Sequence, residues 1–599
     1  MDKKTITPVL LTIFLSLVSY VNTFQNDFVW DDHVFILENA DIRSFSSLPL
    51  FFTNDVDGLY RPLRSFYYTF IYSIGGKNEF WYHLNSLFFH TIISILVFFI
   101  IYEISSRKSI ALIASMIFAA HPLHTERVAN ITGGFDMLGI FFMLLSFYLY
   151  IKFSKLGNKK HFFFSLLFLL IAVFSSEEAI TLPLLIILYD FCFKREKFVE
   201  KIKIKKINEN IIKNYFPYFI IALFYIAVRI IVVGFRGRVE EYLAGNFFLT
   251  MLTMLKVYVY YIYLLILPLN LTLFREVEAV KSIFDLKVLI SALVLITTAF
   301  FAIKTYNKSK IVFFSAFWFF ITLIPFSNLL PLQVFMAERY LYVPSIAFSL
   351  LVSYTIINLF SDKISIFSFQ FLKSNNKIIK NIAIIFIVLL LSSYVFSTTN
   401  RNNDWRDNMT LWSKTVSTNP NNSRAHDNLG FTYERMGETE KALQEFELAV
   451  KLQEDNFRAL ANLGVAYAKV GLYNKSVSTL KKSIEINKYY KTYDKLGLVY
   501  DELNEEEKAI ESFKEAIKIN KRYAKAHNDL ATLYAKIGKF ELALQEFNEA
   551  IKIDKDYADA HFNKGILLEF LGEDDKANKE FETAAKLEPE NELYKRKLK

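Results

Sequence analysis

Cysteine is all but absent. Cys192 is the only one in 599 residues, so no intrachain disulfide can form and thiols say nothing about the compartment. No zinc site built on cysteines is open to the chain either. The polarity of an ordinary soluble protein is also missing: 53% of residues are hydrophobic and the mean hydropathy is +0.26. A small-residue cleavage site is missing after Thr5–Tyr20, which follows Lys3-Lys4, so that stretch reads as a retained first helix rather than a signal peptide. The net charge of +9 does not mark a nucleic-acid binder, because much of the excess lies in short loops between apolar stretches.

What is abundant is aromatic and aliphatic. The 61 Phe and 34 Tyr suit lipid-facing helices with interfacial rings. Candidate spans lie at 5–23, 84–105, 108–122, 135–154, 161–176, 178–193, 215–234, 247–268, 286–304, 310–326, 341–360 and 380–398. The pairs 84–105/108–122 and 161–176/178–193 have almost no loop and must be tight hairpins. Basic residues at the N-terminus, 107–108, 152–160, 194–213, 304–310 and 363–380 predict the cytoplasmic side. The opposite side then receives 24–83, 121–134, 175–178 and 327–339. Twelve full crossings would put the basic 304–310 loop outside; eleven satisfy every basic loop. The expected exception is 247–268, or the irregular Gly234–Asn246 region beside it, crossing incompletely. The C-terminal part then shares the non-cytoplasmic side with Asp31.

After about residue 400, Lys and Glu rise and Phe falls. Leu429-Gly430, Leu463-Gly464, Leu496-Gly497, Leu530-Ala531 and Lys564-Gly565 recur at steps of 33 or 34 residues. A turn residue follows each (Gly437, Gly471, Asn504, Gly538, Gly572), then small-aromatic-small triples such as Ala442/Phe446/Ala449. This is the tetratricopeptide pattern over 424–593, whose units stack because none buries its face alone. The predicted architecture is all-α. A polytopic bundle of about 11–12 spans fills 1–400. A linker with a half-repeat covers 401–423, and a repeat superhelix of five units covers 424–599.

The charged residues near the span ends are where chemistry can sit. Asp31-Asp32, just past the first span, reads either as a capped helix start or as a general base with a positioning partner. An inverting sugar transfer from a lipid phosphate needs one such base and no general acid, and a guanidinium can stabilise the departing phosphate. Arg61, in Tyr60-Arg61-Pro62-Leu63, and Arg339, after Glu338, are phosphate-binding candidates or interfacial anchors. Arg229 and Lys256 are further candidates. His121, His124 and Glu126 form a hydrogen-bonding wall, a capped helix end or a metal site, although their spacing is not that of helical zinc ligands. Asp136 is an N-cap-like acid or a second polar member of the cavity. Glu177 and Glu178, between two spans, must face water or an arginine.

These stretches together (the two-acid loop, YRPL, HPLHTERVANITGGFDMLG, SSEEAITLP and ERYLYVPS, then the repeats) resemble the transmembrane and tetratricopeptide-repeat O-mannosyltransferases and their prokaryotic GT-C relatives. The resemblance implies a multi-pass fold whose first non-cytoplasmic loop carries the catalytic acid, Asp31 or Asp32, with Asp32 favoured. It implies a polyprenyl- or dolichyl-phosphate sugar donor, typically mannose, with no cofactor and usually no metal. Transfer to a hydroxyl, on protein, would occur on the periplasmic or lumenal side. His121, His124, Glu126, Glu338 and Arg339 carry over from the family's motifs. The Ser176-Glu177-Glu178 step departs from the family's basic-acidic pair. The expected partners are the bilayer, the lipid-linked donor and a protein acceptor held by the array. Asn428, Asn462 and Asn563 occupy equivalent first-helix positions there and are candidates to hold a peptide backbone, although Lys495 and Asp529 break the row. The alternative function is a non-catalytic membrane-anchored repeat scaffold for protein assembly.

Overall fold

The computed structural model describes residues 3–56, 58–194, 207–234, 242–359 and 377–598. It divides into two compact units. One comprises Met1–Leu37 and Ile42–Leu411, the other Glu38–Asp41 and Trp412–Lys599.

The first unit is a helix bundle: α1 (Lys3–Tyr20), α2 (Pro62–Gly75), α3 (Glu79–Ser105), α4 (Lys108–Ala120), α5 (Ile131–Leu156), α6 (Lys159–Val173), α7 (Leu182–Phe193), α8 (Ile207–Val233), α9 (Phe247–Ile266), α10 (Leu286–Thr305), α11 (Lys310–Thr322), α12 (Pro344–Leu359) and α13 (Lys377–Asn402). Each of the twelve apolar stretches coincides with one of these helices. By length and composition, seven are able to cross a membrane; α4, α11 and α12 are apolar but shorter. α9 is an unbroken 20-residue helix of crossing length, which gives its expected incomplete crossing no support. The irregular stretch before it (235–241) and the basic residues 195–206 and 363–376 lie outside the described residues.

Local chemistry sets the helix ends. Asn78, Asn130, Asn158 and Asn246 each accept a backbone N–H of the first turn that follows. Helices α3 to α8, α11 and α12 close on a core that includes Val97, Ala114, Phe118, Met143, Phe147, Leu185 and Trp318, while α9 packs in a second cluster with Leu123, Phe319 and Leu341. In an apolar medium packing and polar ties must hold helices together. Ser146 Oγ of α5 accordingly donates to the Ser165 carbonyl of α6 at 2.5 Å, and the Tyr218 hydroxyl of α8 lies 2.7 Å from Ser165 Oγ. α3 and α4 form the expected hairpin, with only Ser106 and Arg107 between them. The second hairpin is looser: residues 174–181 separate α6 from α7, and both glutamates sit in that turn.

The second unit stacks five helix pairs, from Ser423–Arg435/Thr439–Leu452 to Ala558–Phe570/Asp574–Leu587. The wedge is reached from both sides. A Cβ on Gly430 would lie 2.8 Å from the Phe446 ring of the same repeat, while Phe446 also packs in a cluster with Leu463 and Ala466 of the next. Glu38 and Asp41 belong to this unit through ion pairs with Lys491 (2.8 Å) and Arg522.

Candidate active site

α1 runs into a short turn, Val21–Gln25, and the chain then bends at Trp30, whose φ of 52° is unusual for a bulky residue. Asp32 follows and is wholly buried. Its Oδ1 accepts from the Thr132 N–H (2.8 Å) and the Thr132 hydroxyl (2.6 Å), and its Oδ2 from the Val29 N–H (3.1 Å). Burial pushes its pKa up to about 7, against the pull of those donors. Asp31 is half-buried and its carbonyl opens the His33–Leu37 turn. Arg339 faces this loop, with its guanidinium 5.6 Å from the Trp30 ring centre. Burial works against the charged form of Arg339, yet Glu126, with smaller contributions from Tyr340 and Asp31, pushes its pKa above the ordinary value.

Next to Arg339 lies a network that unites distant motifs. Arg61 and Arg64, at the start of α2, both reach Asp136 Oδ1, at 2.5 and 2.8 Å. Arg61 also meets Glu177 at 3.1 Å, and Arg229 Nε lies 3.6 Å from the same carboxylate. Arg127, almost fully buried, spans Asp136 Oδ2 (2.8 Å) and Glu178, and its Nε donates to the Arg339 carbonyl at 3.3 Å. Arg339 in turn pairs through backbone and side chain with Glu126. Buried charges persist only when paired and hydrogen-bonded, and here five arginines face four carboxylates.

Two glycines let these segments meet. A Cβ on Gly133 would lie 2.8 Å from the Glu126 carbonyl and 3.3 Å from Arg127 Cα. One on Gly139 would lie 2.7 Å from the Ser176 backbone nitrogen. The sequence GGFDMLG therefore draws the Arg127 segment and the Glu177-Glu178 turn onto α5, around Asp136.

Other expected site residues have partners inside the protein. His121 and His124 are both fully buried; His121 Nε2 bonds the Leu265 carbonyl (3.1 Å) and His124 Nε2 the Ser345 hydroxyl (2.8 Å). Burial pushes both rings well below the usual imidazole range, to about 4 for His121. Glu126 turns away from them to Arg339. Glu338 is buried too, accepting the Thr272 N–H (2.5 Å) and pairing with Arg401 (3.4 Å). Lys256 is occupied with the Glu278 carbonyl at 3.0 Å. Arg64 was not among the predicted residues; its i,i+3 spacing from Arg61 was the available signal. Arg127 stood within the quoted motif without a role.

In the array, Asn428 donates to the Arg424 carbonyl of its own helix (2.7 Å). Asn462 donates to Asp427 (2.8 Å) and receives Lys495, and Asn563 donates to Asn528 (3.1 Å). Asn462 and Asn563 tie neighbouring repeats together, and Lys495 continues the tie, whereas Asn428 bonds within its own helix.

A bundle of membrane-length helices, an acid pair beside buried arginines, and a helical repeat array define the class: a multi-pass helical protein with a polar site at one end of its spans. Residues 61–228 match the family model described as dolichyl-phosphate-mannose-protein mannosyltransferase. That span holds Arg61, Arg64, Glu126, Arg127, Asp136, Glu177 and Glu178. Tetratricopeptide models match 411–444, 457–490, 497–538, 532–569 and 558–591. The chain is similar to protein O-mannosyl-transferase F38B6.6 of Caenorhabditis elegans, 27% identical over 74% of this chain and 62% of that protein. It is likewise similar to the TMTC3 protein O-mannosyl-transferase of Mus musculus, 26% identical over 74% of this chain and 51% of that protein. The chain thus spans about half to three-fifths of the length of these relatives. Among solved structures, the crystal structure of MamA matches at 26% identity over 27% of this chain and 95% of that chain, with a TM-score of 0.24.

Proposed function

We propose that the protein is an inverting O-mannosyltransferase that moves mannose from a polyprenyl- or dolichyl-phosphate donor to a hydroxyl on a protein, on the non-cytoplasmic face. Asp31 is the base. Its neighbour Asp32 has both oxygens engaged by Thr132 and Val29 inside the protein, which suits a positioning role. Asp31 takes the acceptor hydroxyl proton as that oxygen attacks the anomeric carbon. The bond from that carbon to the phosphate oxygen breaks, and the lipid phosphate leaves as an anion that needs no proton. Arg339, part-exposed beside Asp31, receives the phosphate charge, and the Arg61–Arg127 network keeps the surroundings positive. The array presents the protein acceptor.

The observation that carries this reading is the placement of the Asp31 loop against Arg339, within reach of a network built from the mannosyltransferase-matching segment. The test is transfer by purified protein in lipid nanodiscs from polyprenyl-phosphate mannose, with Asp31→Asn and Asp32→Asn beside the parent. Loss of a general base costs about 10²–10⁴-fold, and Asp31→Asn should fall in that range. Normal transfer by both variants removes the catalytic assignment. Loss in Asp32→Asn alone moves the base to Asp32.

A further inference from the structure

The acid loop is held by a part of the chain nearly four hundred positions downstream. α13 ends at Asn402, and the connector that follows runs along residues 19–33 within the first unit. Asn402 Nδ2 donates to the Ser19 carbonyl (2.8 Å), and Asn26 Nδ2 donates to the Asn402 carbonyl (3.2 Å). The Asp27 N–H donates to the Arg406 carbonyl at 2.8 Å. The rail ends at Asn408, the first residue of helix α14 (Asn408–Thr418). Its Oδ1 accepts the Trp30 N–H at 3.0 Å. Its Nδ2 donates to the Phe28 carbonyl at 3.4 Å and lies 3.2 Å from His33 Nε2. One carboxamide thus touches residues 28, 30 and 33 and brackets both aspartates.

What it holds is a conformation that the chain does not favour by itself. Trp30 sits in the left-handed region, where an L side chain crowds the backbone, and such residues persist only where their surroundings over-determine them. On the indole side the surroundings are Phe274, edge-on at 5.5 Å, and the Arg339 guanidinium. On the backbone side the Trp30 N–H donates to Asn408 Oδ1. Because Asp31 follows Trp30 directly, the φ at Trp30 sets where the Asp31 carboxylate points.

We infer that Asn408 is a positioning residue for the transfer reaction: its carboxamide fixes the left-handed turn at Trp30 and so aims Asp31. This rests on the base assignment above. A connector outside the mannosyltransferase-matching segment thereby becomes part of the active-site scaffold, one step removed from the reacting atoms.

The test compares the full-length parent with Asn408→Ala and Asn408→Asp, the second of which keeps an acceptor oxygen for the Trp30 N–H. Asn408→Ala should lower kcat about tenfold while KM for polyprenyl-phosphate mannose stays within twofold. Asn408→Asp should recover part of the loss. Hydrogen–deuterium exchange over residues 26–37 should rise about tenfold in Asn408→Ala and less in Asn408→Asp. Exchange unchanged in Asn408→Ala overturns the inference, whether or not the parent transfers mannose. An inactive parent sinks the function and leaves the exchange result to judge the clamp. A fall in kcat matched by an equal rise in KM, with no recovery in Asn408→Asp, also overturns it, because a merely structural residue behaves that way.

Discussion

At the scale of single residues, the site is governed by which charges are buried with which partners. Arg127 is the clearest case, because both its carboxylates, Asp136 and Glu178, lie within the bundle. Replacing it by Met removes the cation and leaves its carboxylates short of a partner. Breaking a buried pair in this way costs about 3–5 kcal/mol. Arg127→Met should therefore unfold at a clearly lower temperature, whereas Arg406→Met, whose side chain is 63% exposed, should change stability by at most about 1 kcal/mol. Thermal melts in one detergent compare the two. Asp32 gives a pH test. Its pKa is pushed up to about 7, so between about pH 4 and 7 the folded chain keeps a proton that the unfolded chain releases. The contribution is full below about pH 4 and is lost as pH rises through 7. Glu338, also pushed to about 7 by burial, acts in the same direction, and the buried His121 in the opposite one. The informative quantity is thus a difference: the stability gap between parent and Asp32→Asn should narrow or reverse in sign as pH rises from 5 to 7.5. A gap independent of pH would falsify the raised pKa.

At the scale of elements, close approach decides the geometry. Gly139 allows α5 to lie against the 174–181 turn, and an added methyl would come within 2.4 Å of Ser176 Cβ and 2.7 Å of its backbone nitrogen. Gly139→Ala should destabilise by about 1–3 kcal/mol, the usual cost of overpacking. Adding Ser176→Gly should not restore the loss in full, because the backbone contact remains. A double variant that melts with the parent would place the obstruction in the Ser176 side chain alone. The same elements show what a linear reading can see. The twelve apolar stretches and the 33- or 34-residue steps were legible because length and period are local properties of the chain. α2 was not, since it is too short to span and its ring-rich run begins only after Arg64 and Ser65. The arginine network was half legible. Arg61, Arg339 and the glutamates stood out one by one, but Arg61 meets Asp136 across 75 positions and Arg339 meets Glu126 across 213. No periodicity encodes such pairings. The partners of His121 and His124 were not legible, because a histidine in a polar-looking motif reads alike whether it faces water or, as here, a carbonyl or hydroxyl of another helix.

At the scale of the whole molecule, the chain forms two compact units, and the division of labour proposed for them makes a kinetic prediction. If the array serves the acceptor and the bundle the chemistry, the array acts by concentration. Tethering one binding event to another raises the local concentration of the partner, typically to about the millimolar range for short flexible links. It changes nothing in the transition state. Removing 424–599 should then raise KM for a folded protein acceptor about tenfold or more. The kcat reached at saturating short peptide, and binding of the lipid donor, should stay within about twofold. The cut keeps the contacts of Asn402–Asn408 with residues 19–33 but removes the Lys491 and Arg522 partners of Glu38 and Asp41, so a full-length Glu38→Gln/Asp41→Asn variant is measured beside it to separate lost support from lost acceptor capture. Equal loss of donor binding and of transfer to short and folded acceptors alike would instead make the array a structural support of the bundle. The charge ties within the array argue against that outcome, because Asn462, Lys495 and Asn563 spend their polar groups on neighbouring repeats. A superhelix stitched along its own length owes these ties to its own repeats, and a peptide gripped by Asn462 or Asn563 would have to share an amide that already holds the neighbouring repeat.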